Sequence, residues 1–251
     1  MEVQGDMVLS TVVNHDASKK RAGLAVLLPG FLDSKDYLDL ATLARVLETK
    51  GYFVVRFDPA GTWESGGDIK NYTMTQYLKD IKRVIDRVKS WSGMAFDKTT
   101  VIGHSFGAQV SISYGCRNDV SGVVAIMAPY SPWRNMSREE WEKTGFRTSE
   151  RKNPPPDNGY RTYKVPLSFA VDRSRYDTLN EVKSLNVPLI LIVGSEDNTV
   201  PPEDVMKIYK AANQPKEIVI LDGVGHDYKA DPAQTGVVNR TVVSLMKKHG
   251  L

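Results

Sequence analysis

The apolar residues of this chain fall into short continuous runs, separated by stretches in which they recur at helical spacing. The runs are AGLAVLLPG (22–30), YFVVRF (52–57), TTVIGH (99–104), VSGVVAIMAP (120–129), VPLILIVG (187–194) and EIVIL (217–221). Each has the length of a strand, and consecutive apolar positions predict a strand covered on both faces. Between the first two, residues 36–49 place Tyr37, Leu38, Leu40, Ala41, Leu43, Ala44 and Leu47 at helical spacing, with Gly51 as the stop. Thr73 is a suitable cap for a helix through Trp91, with Tyr77, Leu78, Ile81, Val84, Ile85 and Val88 on one face. Residues 106–115 are small and apolar enough for a closely packed helix, and further helices fall near 202–212 and 232–249. Buried strands alternating with amphipathic helices predict an α/β fold: a mostly parallel central sheet with helices on both faces.

One stretch breaks the rhythm. From Tyr130 to about Asn180 the chain carries Trp133, Trp141, Phe146, prolines at 154–156 and many charges. It is too long for a plain loop, so residues 130–180 are expected to form a cap or lid with its own short helices, inserted in a single domain spanning 1–251. Basic residues outnumber acidic ones there. A solvated cap surface is the ordinary explanation; a site that attracts anionic substrates is the alternative.

Composition narrows the classes. The 251 residues are 41% hydrophobic and 25% charged, which suits a folded domain with a real core. The net charge of +3 comes without a polybasic run or a nucleic-acid-binding motif. The one cysteine, Cys116, excludes an internal disulfide and any cysteine-based metal site, and fits a reducing compartment. The start, MEVQGDMVLSTVVNHD, lacks a basic segment followed by an apolar run, and no apolar stretch approaches the ~20 residues of a membrane span. A cytoplasmic protein is expected, acting on a small molecule and not on nucleic acid. Neither a metal-ligand cluster nor a complete G-x-G-x-x-G occurs, since GVGHDY has Tyr228 at the last position; no cofactor is expected.

The candidate chemistry centres on Gly103-His104-Ser105-Phe106-Gly107. A G-x-S-x-G match arises by chance in roughly one chain of this length in ten, so its neighbours carry the weight. A nucleophile elbow needs a strand just before the serine and a helix just after it, with glycines that let the two approach. TTVIGH and AQVSIS meet that demand. A serine hydroxyl also needs a base and an orienting carboxylate. There are four histidines. His104 belongs to the elbow and should point away from the hydroxyl; His15 lies in an N-terminal polar turn; His249 ends the last helix. His226, in LDGVGHDY behind the strand EIVIL, remains as the base. The acid should lie between Ser105 and His226 at a strand end, where VPLILIVGSEDNTVPP offers Glu196 and Asp197; composition alone does not choose between them.

Together GHSFG, GSEDNTVP and GVGH resemble the elbow, acid loop and histidine loop of α/β-hydrolases, in that family's order and over nearly the whole chain. The resemblance is greatest to carboxylesterases of the cinnamoyl (feruloyl) esterase and monoacylglycerol lipase type. It implies a catalytic triad of Ser105, Asp197 and His226, selecting Asp197 over Glu196. It also implies an oxyanion hole from the backbone N–H groups of Phe106 and of Phe31, in Pro29-Gly30-Phe31. FDPAGTWESGG (57–67) resembles the family's D-x-x-G-x-G-x-S loop, but Trp63 stands where a glycine is usual, which suggests a different loop path. Trp63 and Trp133 are candidate substrate contacts. The implied activity is a serine carboxylesterase for short- to medium-chain or aromatic acyl esters. Alternatives are a monoacylglycerol lipase, thioesterase or amidase of the same fold and, in another class, a ligand receptor.

Overall fold

The computed structural model describes residues 8–20, 22–131 and 138–251. In chain order the elements are β1 (Thr11–Asn14), β2 (Gly23–Leu28), α1 (Leu38–Thr49), β3 (Tyr52–Phe57), α2 (Met74–Ser92), β4 (Thr99–His104), α3 (Phe106–Gly115) and β5 (Gly122–Ile126). Then follow α4 (Arg138–Thr144), β6 (Phe146–Lys152), β7 (Tyr160–Pro166), α5 (Leu167–Arg173), α6 (Thr178–Glu181), β8 (Leu189–Gly194), α7 (Pro202–Ala211), β9 (Lys216–Leu221) and α8 (Pro232–Lys248).

Seven strands form one sheet in the order β1-β3-β2-β4-β5-β8-β9. Only β1 runs antiparallel to its neighbour; β2, β3, β4, β5, β8 and β9 pair in parallel. The continuous apolar runs serve two cores at once. Val26, Val55, Val101 and Leu191 pack on one face with α2, α3 and α7, through Ile81, Val110 and Ile208. Their chain neighbours Leu27, Val54, Ile102 and Ile190 pack on the other face with α1 and α8, through Leu43 and Val242. Alternate side chains point to opposite faces, so a strand covered twice must be apolar at every position. Thr73 caps α2 as expected, accepting from the Gln76 N–H at 3.1 Å, and Gly93 closes it at φ +62°.

This order puts a switch point between β2 and β4: the chain leaves β2 for β3 on one side, then crosses back through α2 to β4 on the other. Parallel sheets open a crevice at the carboxyl ends of such strands. The loop after β2 holds Phe31, and Ser105 follows β4 directly.

Two features depart from the sequence reading. β1 was not expected, because its four residues TVVN are only half-buried and give no core signal. The stretch between β5 and β8 was expected to hold short helices. It does, but β6 and β7 also form a two-stranded antiparallel sheet of their own. Its one buried alternation, Tyr163 and Val165 in β7, is too short to register as a period amid so many charges.

Candidate active site

Ser105 sits in the sharp turn between β4 and α3 with φ +52° and ψ −119°, a conformation that non-glycine residues rarely adopt. The flanking glycines are required by contact. A Cβ on Gly103 would come 2.1 Å from the Gly107 carbonyl oxygen, and one on Gly107 would come 2.4 Å from that of Leu28. The turn holds the hydroxyl out at the sheet end, where His226 Nε2 lies 3.0 Å from Ser105 Oγ.

His226 is aimed from its other side. Its Nδ1 lies 2.8 Å from Asp197 Oδ2. The second oxygen of Asp197 accepts from the Thr199 and Val200 amides at 2.9 and 2.7 Å, so the whole carboxylate is held. Asp197 is buried, while Glu196 is exposed. The acid and histidine loops are tied together: Glu196 N–H donates to the Val224 carbonyl and Ser195 N–H to that of Leu221. A Cβ on Gly194 would meet the Val224 oxygen at 1.9 Å, so glycine is the residue that permits this approach.

The amides of Phe31 and Phe106 have no hydrogen-bond acceptor among the described residues. Phe106 N–H is an open first-turn donor of α3, the end of a helix that favours negative charge. The Phe31 loop is fixed around its own amide. Leu32, at φ +55°, donates its N–H to Tyr72 Oη at 3.0 Å, and the Phe31 carbonyl accepts from Arg151 Nη2 at 3.0 Å.

Ser105, His226, Phe31 and Phe106 share a cavity of about 230 Å³. Trp63 does not line it. This residue, expected as a substrate contact, packs beneath the loops: Nε1 donates to the Leu32 carbonyl, and the backbone N–H donates to Tyr163 Oη at 2.9 Å. It holds φ +46°, the left-handed geometry a glycine would take. The indole and the β6–β7 hairpin thus pin a strained loop against the loop that carries Phe31. Trp133 lies outside the described residues.

The basic excess of residues 130–180 left an anion-attracting site open as the alternative, but no individual charge on the cavity wall was singled out from the sequence. Lys229 Nζ lies 3.0 Å from Asp33 Oδ2 and 3.2 Å from Asp227 Oδ1. Burial by itself would raise the Asp33 carboxyl, but the Lys229 ammonium beside it holds it well below the usual range. His104 points away from Ser105 into this buried corner, 3.8 Å from Asp33, with neither ring nitrogen hydrogen-bonded. Burial lowers its pKa, so it stays neutral. Arg147, Arg151 and Arg173 also line the cavity. The available signal was Arg173 itself: in α5 it sits at a core position one turn after the buried Phe169 and Ala170. Among the described residues no cluster of His, Cys, Asp or Glu is arranged to hold a metal, and no helix is long and apolar enough to cross a membrane.

A profile of the alpha/beta hydrolase family matches residues 25–235, and the chain belongs to that family. It is similar to an acyl transferase of Photobacterium phosphoreum, 30% identical across 83% of this chain and 69% of that one. Its fold is similar to that of Est1E from Butyrivibrio proteoclasticus, a structure with ferulic acid bound, at TM-score 0.76 and 18% identity over 97% and 96% of the two chains. A monoacylglycerol lipase of Paleococcus ferrophilus superposes at TM-score 0.77 with 19% identity, over 97% of this chain and all of that one.

Proposed function

We propose that this chain is a serine carboxylic-ester hydrolase acting through an acyl-enzyme on Ser105. The observation that carries the reading is the single imidazole bridging Ser105 Oγ at 3.0 Å and Asp197 Oδ2 at 2.8 Å, beside two unbonded backbone amides. Ser105 Oγ attacks the ester carbonyl while His226 Nε2 takes its proton. Asp197 fixes the tautomer and stabilises the imidazolium. The developing oxyanion is held by the Phe31 and Phe106 N–H groups. The imidazolium then protonates the departing alcohol. Water, deprotonated by His226, releases the acid and restores the hydroxyl.

The cavity of about 230 Å³ lies below the ~300–1,000 Å³ usual for drug-sized ligands, which favours a compact acyl group, short to medium or aromatic, over a long chain. We read residues 130–180 as the cap over that cavity, and the lone cysteine as fitting a reducing compartment such as the cytoplasm. Burial pushes the Cys116 thiol up to about 11, so it is no rival nucleophile.

Ser105→Ala should lower kcat by on the order of 10⁴-fold or more with unchanged circular dichroism, and a fluorophosphonate probe should label wild type on Ser105. A Ser105→Ala variant that keeps most of its activity overturns the reading. Rates on 4-nitrophenyl esters from acetate to palmitate, methyl ferulate and emulsified triolein test the acyl preference. A maximum at palmitate, or a jump at the triolein interface, favours a lipase. The 30% identity to an acyl transferase supports a second reading, in which an alcohol replaces water in the last step. Ester product exceeding free acid in the presence of dilute alcohols would favour it.

A further inference from the structure

Arg173 is a buried cation held in place without being neutralised. It is 4% exposed and lies on the wall of the cavity that holds Ser105. Its Nε donates to Gln109 Oε1 at 2.7 Å, and Gln109 is itself oriented by donating to the buried Thr178 hydroxyl at 3.0 Å. The guanidinium carbon stands 4.9 Å over the Phe106 ring. An amide and an aromatic face position a guanidinium but leave its charge uncompensated. No carboxylate pairs with Arg173 among the described residues. Burial pulls its pKa down to about 10, which still leaves it cationic at neutral pH.

The acids of the cavity are already engaged. Asp33 and Asp227 share Lys229, and Asp204 lies 3.1 Å from Lys207. A second guanidinium on the lining makes no direct ion pair, although the charge of Asp33 reaches it. Arg151 gives Nη2 to the Phe31 carbonyl, its buried Nε has no acceptor, and no carboxylate lies within ion-pair distance among the described residues. Burying a cation without a partner is costly, and it is retained where something else supplies the negative charge. A planar fork aimed into a cavity matches an oxyanion with two parallel hydrogen bonds.

Resting on the acyl-enzyme reading above, we propose that the acyl group transferred to Ser105 ends in an oxyanion, a carboxylate or a phosphate, bound by Arg173 with Arg151 beside it. The placement selects the acyl half of the substrate. Arg173 lies against the ring of Phe106, whose amide is assigned to the acyl carbonyl oxygen in the reading above, whereas the alcohol is protonated by His226. The reaction is unchanged: a half-ester and water give the free diacid and the alcohol.

The test compares esters that differ only at the far end of the acyl chain. Hydrolysis of methyl pentanoate, monomethyl glutarate and methyl 4-phosphonobutanoate is followed by pH-stat. One of the two anionic esters should exceed the neutral one in kcat/KM by on the order of 10- to 100-fold, the range of charge-assisted hydrogen bonds. Which anion leads distinguishes carboxylate from phosphate. In Arg173→Gln the ratio of anionic to neutral should fall towards one. Calorimetry on Ser105→Ala gives a second reading that needs no turnover and no Arg173 variant: the preferred anionic ester should bind at least tenfold more tightly than methyl pentanoate. Equal rates and equal binding of neutral and anionic esters overturn the proposal and leave the esterase reading standing. Absent turnover, with no fluorophosphonate labelling of Ser105, counts against the esterase reading, and the calorimetry then still decides the anion site.

Discussion

Two walls of the same cavity bury positive charge in opposite ways. On the His226 side, Lys229 lies against Asp33 and Asp227, and the imidazole lies against a carboxylate whose other oxygen is capped by two amides. Elsewhere on the lining Arg173 has a glutamine and an aromatic ring. The first wall balances its charges within the chain; the second leaves a cation for whatever enters. On the proposals above, the contrast separates groups that shape the reacting centre from groups that receive a ligand, and it is open to attack from either wall.

The largest effect should come from Asp197. Asp197→Asn keeps the shape but supports the wrong imidazole tautomer, and kcat should fall by roughly 10⁴-fold. Glu196→Gln, at an exposed carboxylate one residue away, should change kcat by less than about threefold. Ester kinetics on the two variants decide this. Equal losses would mean that the balanced wall does not owe its role to the Asp197–His226 contact.

The next effect is on stability. Lys229→Met leaves Asp33 buried beside a neutral side chain, and should cost about 3 kcal/mol at pH 7 in urea unfolding. The pH dependence follows from the direction of the Asp33 shift. Its folded pKa lies below the ordinary 3.8, so its contribution is complete above about pH 4 and is lost as pH falls through the folded value. Without Lys229 the buried carboxyl titrates upward instead. The gap between wild type and variant should therefore narrow from pH 7 towards pH 4. Asp33→Asn combined with Lys229→Met should recover most of the loss. A gap that does not change with pH would mean that lost packing, and not the unpaired carboxylate, explains the cost.

These two walls were unequally visible in the sequence. Strands covered on both faces must be apolar throughout, so β2, β4, β5 and β8 announced themselves, and with them the strand ends carrying Ser105 and Asp197. His226 followed because few histidines were available and its loop sits behind β9. The arginine wall had no such periodicity. Arg147 and Arg151 lie on a hairpin whose burial alternates over only two residues, and Arg173 reaches the cavity through tertiary packing of α5 on α2. Trp63 was open between lining the pocket and covering the sheet end for a different reason. Its partners, Tyr163 and Leu32, are distant in sequence, and the loop holds a glycine-like positive φ at the tryptophan.

The smallest expected effect is the sharpest test of the second wall. Arg173→Met replaces a buried unpaired cation with an apolar chain of similar length. Two changes oppose each other. Removing the desolvated charge is favourable, while Gln109 Oε1 loses its donor at a cost of about 1 kcal/mol. The net should be a gain of about 1 kcal/mol, or roughly 2–4 °C in Tm for a domain of this size. The folded pKa of Arg173 lies below its ordinary 12.5, at about 10, so the cation penalises the fold at every pH below that and is relieved only as pH rises through it. The gain should therefore be constant between pH 6 and pH 8, unlike the Lys229 effect. Monomethyl glutarate or methyl 4-phosphonobutanoate should raise the Tm of Ser105→Ala and fail to raise that of the Ser105→Ala, Arg173→Met double variant. If Arg173→Met instead melts several degrees lower, the guanidinium holds the fold together as Lys229 does, and the two walls are alike.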